Sequence, residues 1–274
     1  MKKAVCYASI EQVAKPATFE AEVVDLMNTL PGLDAVPDIA VDWIVADIIP
    51  KNSLTILAGE KGSYKSFVCL DLAARVATGY PFAGHQTIAT PVIYLDRENS
   101  AQIVNQRKYF LGIGGTSAAD GLSYWGTWMK EDPCGIRDDR LIATAERHKP
   151  LIVFDSLIRF CQGKDENSAE AMAKVTELFR TLTKVGATIL VIAHKSDKVG
   201  ASPYRGSSEI LAGCDMGWSL VKQGGGLVEW RGIKNRFGEE GMLQLKIEKG
   251  GFTDVGGTVI VSSRNESTRP MRKQ

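Results

Sequence analysis

Residues near the end of the first quarter of the chain have the composition of a loop that binds phosphate groups. They run from Gly59 to Ser66 and read Gly-Glu-Lys-Gly-Ser-Tyr-Lys-Ser. The apolar residues 54–58 before them predict a buried strand, and residues 67–74 after them predict a helix. Between a strand and a helix, the backbone N–H groups of such a loop surround phosphates, and the helix N-terminus adds a partial positive charge. We therefore predict a P-loop that binds ATP.

Two side chains at the end of this loop have predicted roles in holding ATP and Mg²⁺. Lys65 would reach the β- and γ-phosphates, and the Ser66 hydroxyl would bind Mg²⁺. One position departs from the usual pattern, since Tyr64 stands where glycine is expected and only glycine enters left-handed backbone space freely. A chance Gly-Ser-rich turn is the alternative. The predicted nucleotide-binding residues are Gly59, Glu60, Lys61, Gly62, Ser63, Tyr64, Lys65, Ser66 and Phe67.

A second candidate is the acid that ends the apolar run 151–154. Four apolar residues predict a strand buried on both faces, and Asp155 follows at its carboxyl end. A Mg²⁺-linked aspartate of a P-loop enzyme occupies this kind of position. An ordinary strand end is the alternative, and the distance from the P-loop favours the functional interpretation.

Two further strands end in polar residues. The run 92–95 is followed by Asp96 and Glu98, and a carboxylate there would act on the attacking water. We choose Glu98 because it lies further beyond the strand end, although an acid placed there for the dipole of the helix after Ser100 explains it equally well. The run 188–193 ends at His194, which is either a sensor of the γ-phosphate or a structural histidine.

Composition restricts the class of protein. The chain has 274 residues, is 44% hydrophobic and has a formal net charge of +1, which suits one α/β domain and excludes a generally basic nucleic-acid binder. The five cysteines form no CxxC pair, so we expect neither a disulfide framework nor a zinc site. This use of cysteine favours a protein of the reducing cytoplasm. No apolar signal core follows the N-terminus, and no apolar run has the length of a membrane helix, so we expect no membrane association.

The order of predicted elements indicates an α/β fold with a mainly parallel, doubly wound sheet. We predict helices near 100–110, 136–147 and 168–185, and a weak strand at 122–125. Antiparallel strands are predicted near 215–221, 227–233, 242–248 and 257–262, with Gly224–Gly226 as the first turn. The predicted domains are an N-terminal arm over 1–40, an ATPase domain over 41–262 and a disordered tail over 263–274. An apolar stripe predicts a helix in the arm that either docks on a neighbour or covers its own core; it comprises Phe19, Val23, Leu26, Met27 and Leu30.

The ordered set of motifs resembles the RecA-like P-loop ATPases. Within these it is most similar to the RepA-type replicative helicase ATPases of plasmids and phages, over about residues 40–250. Phage-borne members also resemble it in the Tyr-Lys-Ser form of the P-loop. The segments that carry the resemblance are Gly59–Ser66, Tyr94–Glu98, Asp155–Leu157, Ile192–Lys195 and Arg205–Ser208.

The resemblance implies a RecA-like core, usually a hexameric ring, with ATP bound between neighbouring subunits. It implies Glu98 as the water-activating acid, Asp155 as the Mg²⁺-linked acid and His194 at the sensor position. It also implies that Lys234 and Arg236, in a Lys-x-Arg motif, reach the ATP of the adjacent subunit. The residues alone favour a solvated basic turn, and the resemblance reverses that preference.

Single-stranded DNA is the expected polymer, and a primase would be a separate chain. Loops after Asp155 and after His194 begin at the edge where ATP is expected, and in RecA-like rings the equivalent loops line the central channel. Plain solvated loops are the alternative. The candidate DNA-binding residues are Arg159, Lys195, Lys198 and Arg205, with Lys164 in the first loop.

Two other functions remain open at this point. A RecA-family recombination or single-strand annealing ATPase would share all these motifs. A small-molecule kinase would share the P-loop, but the chain has no evident lid rich in arginine. Arg107 either stacks on the adenine or faces solvent from its helix.

Overall fold

A computed structural model describes residues 30–113, 121–161, 168–194 and 208–256. The chain divides into two units, Met1–Ala40 and Val41–Gln274. In the first unit the described residues contain one short 3-10 helix, Leu33–Ala35, and their larger apolar side chains are exposed. Residues 19–29 of the helix predicted from the stripe, and the tail predicted from residue 263, lie outside the described residues, whereas Leu30 is described and exposed.

The second unit contains the regular structure that positions the site. Its strands are β1 Trp43–Val45, β2 Ile49–Pro50, β3 Leu54–Gly59, β4 Val92–Asp96, β5 Leu122–Gly126, β6 Leu151–Asp155, β7 Thr188–His194, β8 Met216–Gly224, β9 Leu227–Asn235, β10 Met242–Glu248 and β11 Gly251–Gly256. Its helices are α1 Lys65–Thr78, α2 Ala101–Leu111, α3 Asp139–His148, α4 Leu157–Phe160, α5 Ala169–Lys184 and α6 Ser208–Gly213. None of the helices in the described ranges has the length and apolar character needed to cross a membrane.

One large sheet organises this unit. Its nine strands lie in the order β11-β10-β9-β8-β3-β7-β6-β4-β5. Neighbouring strands from β8 through β3, β7, β6 and β4 to β5 pair in parallel, whereas neighbouring strands from β8 to β11 pair antiparallel. The predicted fold class, a RecA-like α/β core with a mainly parallel sheet and antiparallel C-terminal strands, is therefore confirmed.

Apolar side chains cover both faces of the central strands. On one face Leu57, Tyr94 and Val153 pack beneath α1. On the other face Phe154 packs against Phe179 of α5, with ring centroids 5.0 Å apart. Fully burying a side chain of this size contributes about 1.5–3 kcal/mol, which explains why these strands read as continuous apolar runs.

Several predicted boundaries need correction. The helix predicted to begin near 136 begins at Asp139, because the Asp138 side chain accepts a hydrogen bond from the Arg140 N–H at 2.9 Å and caps it. The fourth late strand is β11, at Gly251–Gly256, whereas the predicted range 257–262 lies outside the described residues. The turn at Gly224–Gly226 is confirmed, since all three glycines have positive φ between β8 and β9.

Sheet register brings the polar ends of four strands to one edge. Gly59 of β3 pairs with His194 of β7, and Asp96 of β4 pairs with Asp155 of β6. Ligands of open α/β sheets bind at the carboxyl ends of the parallel strands. The sequence motifs therefore meet at the edge where such a fold binds its ligand.

Candidate nucleotide-binding site

A cavity of about 780 Å³ lies at this edge of the sheet. Its volume is within the range of about 300–1,000 Å³ that small-molecule sites occupy. The cavity is lined by Lys61–Phe67 together with Glu98, Asn99, Arg107, Phe110, Asp155, Ile192, His194 and Ile247. The structure thus brings together Lys61–Phe67 of the P-loop, the predicted catalytic acid Glu98, the predicted Mg²⁺-linked acid Asp155 and His194.

A second cavity of about 840 Å³ lies over β4 and β5, beside α3. Its lining is mostly apolar and includes Ile93, Leu95, Trp125 and Leu141. The predicted phosphate-binding and acidic residues line the first cavity, so we place the candidate site there.

The P-loop backbone has the sharp turns that its sequence indicates. A Cβ atom at Gly59 would lie 2.6 Å from the carbonyl oxygen of Leu220, so only glycine fits there. Gly62 has φ 76° and Tyr64 has φ 68°, both in the left-handed region. For a residue other than glycine this conformation costs about 1–2 kcal/mol.

The Tyr64 ring makes contacts that offset part of this cost. The ring centroids of Tyr64 and Phe67 are 6.4 Å apart, and the Lys222 Nζ atom lies 5.0 Å from the centroid of the Tyr64 ring. A cation over an aromatic face contributes about 0.5–1 kcal/mol at an exposed site. Tyrosine therefore replaces glycine in this loop without changing the left-handed turn.

Lys65 is the first residue of α1 and is almost fully buried. Its Nζ atom donates hydrogen bonds to the carbonyl oxygens of Gly59 at 2.9 Å and Glu60 at 2.6 Å. Burial lowers the pKa of the Lys65 ammonium, and the nearby carboxylates of Glu98 and Asp155 act in the opposite direction. The cation is held inside the loop, where phosphates of a nucleotide would lie.

Asp155 ends β6 as a buried carboxylate. Its Oδ2 atom accepts a hydrogen bond from the Tyr94 hydroxyl at 2.9 Å, whereas Oδ1 has no hydrogen-bond partner among the described residues. Burial and, secondly, repulsion from Asp96 raise the pKa of Asp155 to about 7, and the nearby Ser66 hydroxyl and the hydrogen bond from Tyr94 oppose this. A divalent cation would favour the ionised form.

Asp155 and Ser66 fit a magnesium ion that also binds phosphate. Mg²⁺ is usually held by one or two carboxylates together with phosphate oxygens. The unpartnered Oδ1 atom of Asp155 and the adjacent Ser66 hydroxyl are oxygen ligands of this kind. In the described part of the chain, no cluster of three or more His, Cys, Asp or Glu side chains is arranged to hold a metal by itself.

Glu98 lies in the cavity wall with its side chain 34% exposed. Its Oε2 atom accepts a hydrogen bond from the Ser156 hydroxyl at 2.5 Å and lies 3.4 Å from the His194 Nε2 atom. Hydrogen bonding to His194 and then to Ser156 lowers the pKa of Glu98 to about 2, against the effect of burial. The carboxylate is thus ionised at neutral pH and held by two partners.

Asp96 has a different environment from Glu98. It is fully buried, and its carboxylate accepts hydrogen bonds from the backbone N–H groups of Glu98 at 2.8 Å and Asn99 at 2.9 Å. The Tyr124 hydroxyl donates to its other oxygen at 2.5 Å. This geometry favours Glu98 over Asp96 as the acid that contacts a ligand; the catalytic role itself stays a prediction.

His194 is the last residue of β7 and lines the cavity. Its side chain is 17% exposed, and its Nδ1 atom is buried without a hydrogen-bond partner among the described residues. The imidazole therefore lies beside Glu98 in the cavity wall, in the position expected for a sensor. The structure gives the histidine this place, and its sensor role stays a prediction.

Lys234 and Arg236 lie on one side of β9 and the residue after it. The Lys234 Nζ atom donates to the carbonyl oxygens of Leu211 at 2.8 Å and Ala212 at 2.5 Å, and Arg236 donates to Ala212 at 3.0 Å. Arg236 also lies 3.7 Å from Asp215. Both cations thus stabilise the C-terminal end of α6. Neither lines the cavity of its own chain.

The predicted DNA-binding residues are only partly described. Arg159 is exposed on α4, and its positive charge is one of the causes that lower the pKa of Glu98. Lys164, Lys195, Lys198 and Arg205 lie outside the described residues.

Sequence reasoning missed several side chains around the site. Tyr94, Tyr124 and Ser156 carry hydroxyls that bond the three acids, and Asn99 bonds two of them. Asn99 follows Asp96 by three residues, a spacing typical of side chains that bond the backbone of a turn. Phe110 and Ile247 add apolar surface beside Arg107.

Comparison with known proteins places the chain in a family. A family model described as an AAA domain matches residues 20–199, which is more than half of the 274 residues. A search of the curated proteins found no match. Together with the P-loop geometry at the carboxyl edge of the sheet, the family match supports nucleotide binding and ATPase activity in general. The chain belongs to the AAA-domain family of P-loop ATPases.

Proposed function

We propose that the protein is a RecA-like motor that hydrolyses ATP while it acts on single-stranded DNA, as a replicative helicase or helicase-like ATPase of a phage, plasmid or prophage. The observation that carries this proposal is the meeting of Lys65, Asp155, Glu98 and His194 at one edge of the sheet. The segments that follow Asp155 and His194 begin at the same edge, the first of them with the short helix α4. A change at the phosphates would therefore reach those segments directly.

Each of these side chains has a task in ATP hydrolysis. Lys65 and the P-loop N–H groups would bind the phosphates, and Ser66 and Asp155 would hold Mg²⁺. When bound, the metal ion neutralises charge on the phosphates. Glu98 would orient the attacking water and accept its proton, since Ser156 and His194 hold its carboxylate at the cavity wall.

The catalytic acid provides the first test. Glu98→Gln keeps the size of the side chain and removes its charge, so we expect normal ATP binding and a rate lower by about 10²–10⁴-fold. Phosphate release under saturating ATP measures this. Glu177→Gln, an exposed position on α5, is the matched control. Wild-type turnover in Glu98→Gln together with an inactive Asp96→Asn would assign the role to the other acid.

Assembly is part of the proposal. Lys234 and Arg236 belong to the antiparallel extension of the sheet and lie outside the cavity of their own chain, as expected of groups that act on a neighbour's ATP. We propose a homo-oligomer, a hexameric ring, in which each site is completed by the adjacent subunit. A separate primase or other replication protein is a further proposed partner.

The proposed DNA contacts are tested by removing their charges. Phosphate contacts dominate such binding, so affinity should fall steeply with salt and depend little on sequence. Alanine at Lys195, Lys198 and Arg205 should flatten the salt slope by up to ~0.7 per lost phosphate contact. DNA stimulation of the ATPase should be lost, while basal turnover remains.

A matched control removes three lysines elsewhere: Lys51, Lys174 and Lys184, which are all exposed. An unchanged salt slope and full stimulation in the first triple variant would place the DNA site elsewhere.

Displacement of a strand from a forked duplex separates a helicase from a recombination or annealing ATPase. Stimulation without strand displacement would support the latter.

A further inference from the structure

Two tyrosines on neighbouring strands each hold one of the buried carboxylates of the site. Tyr94 of β4 and Tyr124 of β5 are register partners, and their rings stack with centroids 4.8 Å apart and planes at 11°. The Tyr94 hydroxyl donates to Asp155 at 2.9 Å, and the Tyr124 hydroxyl donates to Asp96 at 2.5 Å. The stacked pair thus matches the pair of acids that end β6 and β4.

Asp96 connects this pair to the turn that carries Glu98. Its Oδ1 atom accepts the N–H of Glu98 at 2.8 Å and that of Asn99 at 2.9 Å. Asp96 is fully buried, and no Lys, Arg or His side chain among the described residues forms an ion pair with it. A buried carboxylate without a cation depends on its hydrogen bonds. The Tyr124 hydroxyl is one of its donors.

Asn99 ties the two acids together. Its Nδ2 atom donates to Asp96 Oδ2 at 3.0 Å and lies 3.3 Å from Asp155 Oδ2. Movement of the Asp96 carboxylate would therefore disturb the turn that carries Glu98, and with it the distance between that turn and Asp155.

Trp128 holds Tyr124 from the outer side. Their rings stack with centroids 5.7 Å apart, so Tyr124 lies between Tyr94 and Trp128. The Trp128 ring lies directly against Gly126, where a Cβ atom would come within 2.3 Å of it. Tyr124 consequently has little freedom to turn its hydroxyl away from Asp96.

We propose that Tyr124 is a positioning residue for ATP hydrolysis, acting on Glu98 through Asp96. Its hydroxyl fixes the buried carboxylate, the carboxylate fixes the Glu98 N–H, and the Glu98 side chain is thereby directed into the cavity. The inference rests on the proposed role of Glu98. Tyr124 is separated from that carboxylate by Asp96 and does not line the nucleotide cavity.

The test removes only the hydroxyl. In Tyr124→Phe the stack can remain while Asp96 loses a donor, so we expect kcat to fall by about ten- to hundredfold, the value of one hydrogen bond to a charged group, with KM for ATP unchanged. Tyr109→Phe, at an exposed tyrosine of α2, is the matched control and should keep wild-type kcat. Thermal unfolding of both variants shows whether the fold is retained.

A double variant distinguishes positioning from a general structural role. If Tyr124 acts through Glu98, Tyr124→Phe should not slow a Glu98→Gln enzyme further, because coupled residues are not additive. A further loss of the same size in the double variant would overturn the inference, as would wild-type kcat in Tyr124→Phe. Should Tyr124→Phe not fold, Trp128→Ala replaces it; a lower kcat at unchanged KM is then expected, and wild-type kcat contradicts the inference.

Failure of the proposed function has a different signature. Wild-type turnover in Glu98→Gln would remove the role of Glu98 and this inference with it. Impaired turnover in Glu98→Gln beside wild-type turnover in Tyr124→Phe would leave the proposed function intact and overturn this inference alone.

Discussion

Lys65→Ala is expected to lose ATP binding and ATP turnover together. The ammonium group is buried in the loop, where it donates to the carbonyl oxygens of Gly59 and Glu60. The nearby carboxylates of Glu98 and Asp155 favour its charged form. Its removal leaves the phosphates without the cation that the loop places among them. Binding of a fluorescent ATP analogue and phosphate release measure the two losses.

The matched control for this change is Lys51→Ala. Lys51 lies in the turn before β3 and pairs only loosely with Asp42, at 3.5 Å, with both side chains well exposed. Such surface pairs contribute about 0–1 kcal/mol, so wild-type binding and turnover are expected. Undiminished ATPase activity in Lys65→Ala would contradict the P-loop assignment.

Arg236→Ala should lower the rate of hydrolysis by about 10³–10⁵-fold if the arginine acts as a finger on a neighbour's ATP. The guanidinium would meet the charge that develops on the transferring phosphoryl group. Within its own chain Arg236 bonds Ala212 and lies 3.7 Å from Asp215, a residue that Arg180 also binds at 2.6 Å. Because Arg180 remains, we expect the fold to be retained, which thermal unfolding checks.

Mixing two inactive proteins tests whether this action crosses between subunits. Lys65→Ala chains still supply Arg236, and Arg236→Ala chains still supply a complete P-loop, so mixed oligomers should recover part of the activity. Arg231→Ala is the control, since Arg231 is an exposed arginine of β9 that pairs with Glu229 at 2.7 Å. No recovery at any mixing ratio, with co-assembly demonstrated, would count against action in trans.

The parts of the site that the sequence predicts are those set by local chain order. The strand that ends at Gly59 and the helix that begins at Lys65 fix the P-loop, and parallel strands carry Asp155 and His194 to one edge whatever lies between them. Burial on both faces made β3, β6 and β7 read as apolar runs. For the same reason the alternation of strands and helices was sufficient to predict the fold class.

Long-range pairing is what the sequence does not reveal. That β5 lies beside β4, and so sets Tyr124 on Tyr94, follows from sheet order, which no local pattern contains. The contact of Lys234 and Arg236 with the end of α6 likewise joins segments more than twenty residues apart. The short pair β1 and β2 and the short helices α4 and α6 have too few residues to show a periodic pattern.

Spacing also left the choice between Asp96 and Glu98 open. Burial decides which acid the cavity contains, because Asp96 is fully buried among hydrogen-bond donors while Glu98 lines the cavity. Tyr64 is a similar case. The sequence identified it as a departure from glycine, and its contacts with Phe67 and Lys222 explain how a tyrosine occupies a left-handed position.

The most direct measurement is the rate of ATP hydrolysis by the wild-type protein in the presence of Mg²⁺, with and without single-stranded DNA of mixed sequence. A single-strand motor should hydrolyse ATP faster with single-stranded DNA than without it, and the increase should disappear at high salt, where phosphate contacts are lost. Lys65→Ala supplies the background rate. Hydrolysis that single-stranded DNA leaves unchanged at every salt concentration would contradict a DNA-dependent motor.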